Sequence, residues 1–387
     1  MFFGLTKERL QELGSTFTAT EIRQQPKMWE ETYKIVNENK EEIKKFLRNN
    51  LKSNTRVVLT GAGTSDYVGD TIYLYLAKKL NLRVEAIATT DLVSNPHEFV
   101  EEDTPTILVS YARSGNSPES VGAYDIFAKN IKDISQLVIT CNKDGQLAKK
   151  AHGSEKNLCL LMPEESNDKS FAMTSSFSCM LLASLLVFDI ENLEENKKYV
   201  DIVVSQGNSI LDNKWEEIKD LVDLNCDRVV YLGSGALKGL CQEMALKNLE
   251  LTSGKTVTVY ESVLGFRHGP KSIINDNTLV IFMNSINEYT NLYDMDLIKE
   301  IHGDIGNHKL AVISYKSNDE LNNLCDKYLN IDGKDVPEIY TVFNYMLFGQ
   351  MFGLFSSLNL GISPDNPRPD GTVNRVVKGV IIHPYNK

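Results

Sequence analysis

The sequence predicts an α/β protein with two tandem domains, each a parallel sheet flanked by helices. Three observations lead to this prediction. Short apolar segments alternate with helix-compatible stretches, several of these segments recur at a near-constant distance further along the chain, and two turns that follow apolar segments are rich in glycine and hydroxyl residues. Continuous apolar strands between helices are typical of a parallel sheet that is covered on both faces.

The first domain is predicted over residues 51–200. A helical lead-in of mixed charge, residues 1–50, precedes this domain and is expected to pack on it. The lead-in contains the pattern Thr18-x-x-Glu21, which is that of a helix capping box. Strands of the first domain are expected near Arg56–Thr60, Thr106–Ser110, Gln136–Thr140 and Leu158–Met162.

The second domain is predicted over residues 201–365, because segments of the first domain recur there. Three pairs of segments match in the same order, at offsets of 172, 173 and 174 residues: Val57–Gly63 with Val229–Gly235, Ile107–Val109 with Val280–Phe282, and Val138–Thr140 with Val312–Ser314. Such near-equal offsets indicate two domains of one ancestry. Its strands are expected near Arg228–Leu232, Thr278–Met283, Lys309–Ser314 and Tyr328–Ile331, and a C-terminal segment, residues 366–387, follows.

The composition is that of a globular protein with no nucleic-acid partner. Of the 387 residues, 42% are hydrophobic and 24% are charged, and the net charge is −11 without any basic block. Binding to a phosphate backbone needs clustered Lys and Arg, which this chain lacks. An anionic small molecule would have to be held by local donors against the overall negative field.

The chain is expected to reside in the cytoplasm and to have no membrane partner. Its six cysteines are scattered and form no C-x-x-C pair, as is usual in a reducing compartment. Charges occur too early in the N-terminus for a signal peptide. The longest apolar stretch, Met180–Phe188, is about half as long as a bilayer requires.

Two hydroxyl-rich turns predict a phosphate site. The stretch Ser110–Ser120 contains four serines and, at Pro118, a proline that suits the first turn of a helix. The stretch Arg56–Gly69 has the same layout, with Thr64 and Ser65 after two glycines. Free N–H groups and the positive dipole end at a helix N-terminus bind phosphate well beside serine hydroxyls. Either turn alone could be an ordinary helix cap, but both follow strands, where parallel sheets bind ligands.

The two predicted domains differ where chemistry is expected. The second domain has Met283–Asn287 in place of the serine-rich turn, and it therefore lacks the hydroxyls of the first. Between its first two predicted strands it has gained a helix-compatible run, Ala245–Leu251, and the stretch Glu261–Pro270, which contains the tripeptide His-Gly-Pro.

These motifs carry a family resemblance. The pairing of GAGTS with SGNSPES resembles the sugar isomerase (SIS) domain, and the tandem layout with a K-x-x-E helix followed by HGP resembles the isomerase half of glucosamine-6-phosphate synthase. Four strings resemble more closely the AgaS family of galactosamine-6-phosphate deaminase/isomerases, formerly described as tagatose-6-phosphate ketose/aldose isomerases: QQP-x-x-W at Gln24–Trp29, SFAMTSSF at Ser170–Phe177, LGFRHGPKS at Leu264–Ser272 and NRVVKGV at Asn374–Val380. The likeness spans nearly the whole chain and implies a flavodoxin-like three-layer sandwich for each SIS domain.

The resemblance implies a role for each matching residue. The phosphate would be held by the turns with Thr64, Ser65, Ser114 and Ser117, and the sugar would be contacted by Thr174 and Ser175. Glu250 would move a proton between C1 and C2, and His268 would open the sugar ring. Lys247 and Lys378 match lysines of the synthase, and the C-terminal segment would return to the active site. The resemblance also implies a homodimer whose site can borrow His268 from the neighbouring subunit.

These groups suit the chemistry of a hexose or hexosamine 6-phosphate. An aldose–ketose shift removes a proton beside a carbonyl and returns it to the next carbon, and one carboxylate can do both. Ring opening needs a group that gives and takes a proton near neutral pH, as histidine does. On galactosamine 6-phosphate, the same shift yields an imine that water hydrolyses to tagatose 6-phosphate and ammonia. This route requires no metal and no organic cofactor.

Plainer interpretations of the same residues stay open. Lys247 and Glu250 could form a simple helix-surface contact, and Arg113 could steer the anion or only cover the turn. His302 and His308 lack an apparent third ligand, so we treat them as surface residues. For the whole chain, the alternatives to deamination are simple tagatose/fructose 6-phosphate isomerisation and a non-catalytic sugar-phosphate sensor.

Overall fold

The protein is described by a computed structural model that covers residues 2–377 and 379–385. These residues divide into two compact units with one sheet each. The first-sheet unit comprises Lys27–Asp168, Met173–Lys198 and residues 370–377 and 379–385. The second-sheet unit comprises residues 2–26, Lys169–Ala172 and Tyr199–Pro369.

The first sheet has five parallel strands in the order β2-β1-β3-β4-β5. The strands are β1 Arg56–Thr60, β2 Val84–Ala86, β3 Thr106–Ala112, β4 Ile134–Thr140 and β5 Asn157–Leu161. Every residue of β1 and β3 is buried, as expected for central strands covered on both faces.

The second sheet repeats the first. Its strands are β6 Arg228–Leu232, β7 Val257–Glu261, β8 Thr278–Asn284, β9 Lys309–Ser314 and β10 Lys327–Asn330. All are parallel and their order, β7-β6-β8-β9-β10, is the same as that of the first sheet. This is the strand order of flavodoxin-like folds, so the predicted α/β class with two tandem parallel sheets is confirmed.

The helices cover the faces of the sheets and form the connections between strands. In chain order they are α1 Lys7–Glu12, α2 Thr16–Arg23, α3 Gln25–Glu38, α4 Lys40–Asn50, α5 Thr64–Leu80, α6 Thr89–Ser94, α7 Pro96–Phe99, α8 Pro118–Asn130, α9 Gln146–Ala151, α10 Ser175–Phe188, α11 Leu193–Asn213, α12 Trp215–Val222, α13 Ala236–Leu251, α14 Val263–Phe266, α15 Glu288–Gly303, α16 Asp319–Leu324 and α17 Glu338–Asn359. Short 3-10 helices lie at Glu164–Ser166, Ile190–Asn192 and Pro270–Ile273.

No single helix in the described part of the chain is long and apolar enough to cross a membrane, although α10 and the bent helical stretch after it pass that test as a pair. Every residue of α10 is buried, as is nearly all of α17. These two helices occupy equivalent places after the fifth strand of their sheets.

The turns before α5 and α13 are equivalent down to the backbone angles. Gly63 has φ 56° and ψ −128°, and Gly235, 172 residues later, has φ 59° and ψ −127°. A positive φ of this kind favours glycine, because a Cβ would strain the backbone. The shared conformation supports the internal repeat that the sequence offsets predict.

The packing of the lead-in differs from the prediction. Residues 2–26 group with the second sheet, and only the part from Lys27 onward groups with the first. The physical reason is a set of hydrogen bonds to Asp365: its carboxylate accepts from the amide of Phe17 at 3.0 Å and from the amide and hydroxyl of Thr18, both at 2.8 Å.

The capping-box interpretation of Thr18-x-x-Glu21 is also wrong. Helix α2 begins at Thr16 after Ser15, so Thr18 lies inside the helix rather than before it. The Glu21 carboxylate is buried and accepts hydrogen bonds from the amide of Lys169 at 2.5 Å and from the amide and hydroxyl of Ser170. Glu21 therefore fixes the loop at Lys169 and Ser170, which is distant in sequence, and does not cap its own helix.

Candidate active site

The turn after β3, Arg113–Ser117, leaves a helix N-terminus without a side-chain cap. Ser117 is the residue before α8, and its hydroxyl donates to Ser120 Oγ at 2.6 Å rather than accepting from an amide of the first helical turn. The carbonyls of the turn are held from outside: Asn142 donates to Ser114 O at 2.8 Å, and Leu147 donates to Gly115 O at 3.1 Å. The fixed turn thus offers hydroxyls and uncapped N–H groups to an anion.

The turn after β1, Gly61–Gly63, leads into the second pair of predicted phosphate contacts. Thr64 and Ser65 open helix α5 and are both buried. The Ser65 hydroxyl contacts Met173 Sδ at 3.8 Å, so this turn meets the segment SFAMTSSF within the first-sheet unit.

Asp66 is a polar residue of this region that the sequence did not single out. It lies in the first turn of α5, and its Oδ1 is buried without a hydrogen-bond partner among the described residues. Burial raises the pKa of Asp66 to about 8, and the nearby charges of Asp70 and Asp91 add to the effect. A carboxyl next to the predicted phosphate contacts is therefore mostly protonated at neutral pH.

Thr174 and Ser175 are held by a buried carboxylate. Asp168 accepts hydrogen bonds from the amides of Thr174 at 2.8 Å, Ser175 at 3.1 Å and Ser176 at 2.9 Å, and also from the hydroxyls of the first and third of these residues. It caps helix α10 from outside and fixes the predicted sugar contacts. The sequence did not indicate Asp168, because it lies in a polar stretch that looks like an ordinary loop.

Arg113 ties the C-terminal segment to the first-sheet unit. This guanidinium is buried and donates to the carbonyl of Arg375 at 2.7 Å, and the Arg375 guanidinium in turn donates to the carbonyl of Asp168. These contacts are made with the C-terminal segment, so both roles considered for Arg113, steering the anion and covering the turn, stay open. Lys378, the other lysine matched to the synthase, lies outside the described residues.

Helix α13 carries a buried charged cluster, Glu243–Lys247–Glu250. Lys247 is only 1% exposed, and its ammonium contacts Glu250 Oε2 at 2.6 Å and Glu243 Oε1 at 3.5 Å. Glu243 is also 1% exposed, whereas the Glu250 side chain is 27% exposed. The Lys247–Glu250 pair is therefore no helix-surface contact, and one carboxylate of the cluster reaches solvent.

A buried cluster with two carboxylates and one ammonium is costly to desolvate, and such clusters occur often at functional sites. Glu243 was missed by the sequence analysis, although its position one helical turn before Lys247 could have indicated it. The ammonium holds the Glu250 carboxylate in one position, as a proton-transferring group needs.

His268 is exposed and lies in a tight turn after α14. Its backbone amide donates to Gly265 O at 3.0 Å, and the next residue, Gly269, has φ 122°. Ser262 caps α14 through a 3.2 Å bond from the Gly265 amide. The ring is thus presented to solvent by a fixed backbone.

The other two histidines considered in the sequence are not grouped as metal ligands. The His308 ring contacts the carbonyl of Ile301 at 2.9 Å. In the described ranges, no cluster of three or more His, Cys, Asp or Glu side chains is placed to hold a metal ion.

Comparison with known proteins gives a family match over most of the chain. The SIS domain model matches residues 50–189 and 224–353. The chain is 41% identical over 389 aligned residues to the D-galactosamine-6-phosphate deaminase AgaS of Shewanella sp. (strain ANA-3), covering 99% of this chain and 96% of that protein.

Two solved structures are also similar over almost their full length. A Clostridium novyi NT protein, provisionally described as a tagatose-6-phosphate ketose/aldose isomerase, is 46% identical with a TM-score of 0.97, covering 100% of this chain and 99% of its own. The tagatose-6-phosphate ketose/aldose isomerase of Escherichia coli is 36% identical with a TM-score of 0.85, covering 96% and 97%.

Proposed function

This chain belongs to the SIS-domain family and, within it, to the AgaS group, and on that premise we propose that it converts galactosamine 6-phosphate to tagatose 6-phosphate and ammonia. The observation that carries the proposal is the contact between Glu250 and the buried ammonium of Lys247. This contact holds a partly exposed carboxylate in one position. The chain is also related to enzymes that are named for this reaction.

The substrate phosphate is bound by the turns after β1 and β3. Thr64, Ser65, Ser114 and Ser117 supply hydroxyls beside helix N-termini, whose partial positive charge favours an anion. Thr174 and Ser175, fixed by Asp168, contact the sugar. Support for this assignment comes from the uncapped first turn of α8.

Glu250 is the base of the proton shift. It removes the proton from C2 of the open-chain amino sugar and returns it to C1, while a proton of the amino group passes to the C1 oxygen, which leaves a C1 hydroxyl and an imine at C2. Water then adds to C2, and ammonia leaves as the ketone forms. His268 transfers the proton between the ring oxygen and the anomeric hydroxyl when the ring opens.

Lys247 positions Glu250 through the 2.6 Å contact between its ammonium and Glu250 Oε2. For Lys378 the proposal rests on the resemblance alone. The aldose form of the substrate gives it no ketone to hold at the start of the reaction.

The active protein is a cytoplasmic homodimer whose interface includes the surface around His268. Three apolar side chains of the second-sheet unit are exposed near the catalytic candidates in sequence: Leu249, Val257 and Leu264. Single exposed apolar side chains are common, but Leu249 directly precedes Glu250 and Leu264 lies four residues before His268 in the sequence. All six cysteines are free, as expected in a reducing compartment.

The proposed reaction is tested by scoring ketose and ammonia together on a panel of 6-phosphosugars and 6-phospho-2-aminosugars. Galactosamine 6-phosphate should give equal amounts of both products. If only tagatose or fructose 6-phosphate is interconverted with its aldose and no ammonia appears, the protein is a plain isomerase. That alternative is favoured by the descriptions of the two similar structures.

The subunit that supplies His268 is tested by mixing two inactive variants, Glu250→Gln and His268→Gln. If His268 acts across the interface, mixed dimers contain one intact site and activity returns. If both residues come from one chain, each site keeps one defect and the mixture stays inactive.

A further inference from the structure

The turn after β8, Ser285–Asn287, is the counterpart of the turn Arg113–Ser117. Strands β3 and β8 hold the same central place in their sheets, and each turn leads directly into a long helix. The donors of the β8 turn converge on one oxygen: Glu338 Oε1 accepts from the amides of Ile286 at 3.0 Å and Asn287 at 3.4 Å, and from the hydroxyl of Ser285.

Glu338 reaches this turn from an equivalent position in the repeat. It opens helix α17, whose counterpart α10 opens with Ser175, one of the predicted sugar contacts. Where the first repeat places a small hydroxyl, the second places a carboxylate. Two backbone amides and one hydroxyl around a single anionic oxygen are the arrangement by which turns bind phosphate.

The remaining donors of the β8 turn are also occupied. Asp294 is fully buried and accepts from the Ser285 amide at 2.8 Å. The Asn287 side chain accepts from the amides of Tyr289 and Thr290, both at 3.1 Å, and so caps α15. Burial raises the pKa of Asp294 to about 6, and the negative charge of Glu338 contributes to the rise.

We propose that the turn Ser285–Asn287 is an anion-binding site of the phosphate type that the chain itself occupies with the Glu338 carboxylate. Each chain therefore binds one phosphate, at the first repeat, although the fold contains two equivalent turns. The phosphate at the first repeat rests on the proposed function, whereas the self-occupied turn of the second repeat depends neither on that phosphate site nor on the catalytic role of Glu250.

The test compares Glu338→Ala with Glu338→Gln, using inorganic phosphate as the probe. Glutamine keeps an oxygen that accepts the same three hydrogen bonds, so the turn stays filled. Alanine empties the turn. Titration calorimetry should give one phosphate per chain for the wild type and Glu338→Gln, and two for Glu338→Ala. Phosphate should raise the melting temperature of Glu338→Ala more than that of Glu338→Gln, with sodium chloride of equal ionic strength as the control.

A second measurement keeps the test decisive if the emptied turn destabilises the chain: phosphate should then raise the melting temperature of Glu338→Ala toward that of Glu338→Gln, whereas sodium chloride should not. In the folded chain, adding Asp294→Asn to Glu338→Ala removes the neighbouring carboxylate, whose charge would repel the ligand, so phosphate should bind more tightly. A folded Glu338→Ala that binds no more phosphate per chain than Glu338→Gln overturns the proposal. So does a failure of phosphate to protect either variant beyond the chloride control.

Discussion

The turns after β3 and β8 connect equivalent strands to equivalent helices, yet their donors have different partners. In the first, Ser117 leaves the first turn of α8 uncapped. In the second, Asn287 caps α15, and Glu338 accepts hydrogen bonds from the amides of the turn. A turn whose N–H groups lack a side-chain cap is better suited to a ligand than a turn whose N–H groups already bind a carboxylate.

The first helices of the two repeats also differ, but here the second repeat carries the distinctive polar groups. Helix α13 carries the buried cluster Glu243–Lys247–Glu250, whereas the positions 172 residues earlier on α5 are Thr71, Tyr75 and Lys78. Under the proposed function, one repeat carries the phosphate-binding turns and the other carries the proton-transferring carboxylate. The comparison teaches that two repeats with the same strand order can differ in chemistry through the side chains at equivalent positions.

The largest expected effect falls on the cluster of α13. Glu250→Gln should lower kcat for galactosamine 6-phosphate by about 10²–10⁴-fold, because a general base of this kind contributes that much. KM should change little, since glutamine keeps the shape of the side chain. A matched control is Lys78→Gln at the equivalent position of α5, which should leave kcat unchanged in the same ammonia-release assay.

A large effect on stability is expected at Asp168. Asp168→Asn should lower the free energy of unfolding by about 3 kcal/mol, because several charge-assisted hydrogen bonds of a buried carboxylate are weakened. Denaturant titration measures the loss. A stability equal to that of the wild type would show that the hydrogen bonds at the start of α10 contribute little.

The residues at the N-cap positions of α8 and α15, Ser117 and Asn287, are expected to respond to substitution in opposite ways. Ser117→Ala should raise KM about tenfold, the cost of one lost hydrogen bond to a charged group, and leave the melting temperature unchanged. Asn287→Ala should lower the free energy of unfolding by about 1 kcal/mol, the usual value of a cap, and leave KM unchanged. The comparison fails if both variants behave alike in steady-state kinetics and in thermal melts.

The last prediction concerns the pH dependence contributed by Asp66. Its pKa is raised from 3.8 to about 8, so between these values the folded chain holds a proton that the unfolded chain has released. Wild-type stability therefore falls as pH rises through this window, by at most about 1.4 kcal/mol per pH unit. Asp66→Asn carries no such proton, and its melting temperature relative to the wild type should rise from pH 5 to pH 8. A constant difference would contradict the assignment.

Much of the fold follows from the sequence because its signals are local. The eight strands expected from apolar runs are present with nearly the same bounds, and the offsets reveal the repeat. The sequence missed β2 and β7, which are edge strands with half-exposed residues and so lack a continuous apolar run. Thr64, Ser114 and Glu250 were predicted as site residues because short motifs contain them.

Two of the contacts that the sequence missed join residues that are far apart in the chain. Glu21 binds the amide of Lys169 and Glu338 binds the turn after β8, so neither contact has a local signature. Asp168 and Glu243 are close in sequence to predicted site residues, but nothing in their neighbours shows that they are buried. Carboxylates that accept hydrogen bonds from distant backbone amides can be identified only once the tertiary structure is known.

The most direct test of the account is a titration of tagatose 6-phosphate into the inactive Glu250→Gln variant. One molecule should bind per chain. Adding Ser114→Ala and Ser117→Ala should abolish that binding, whereas adding Ser285→Ala should leave it intact. Two bound molecules per chain, or loss of binding with Ser285→Ala alone, would contradict the division between an open turn in the first repeat and a self-occupied turn in the second.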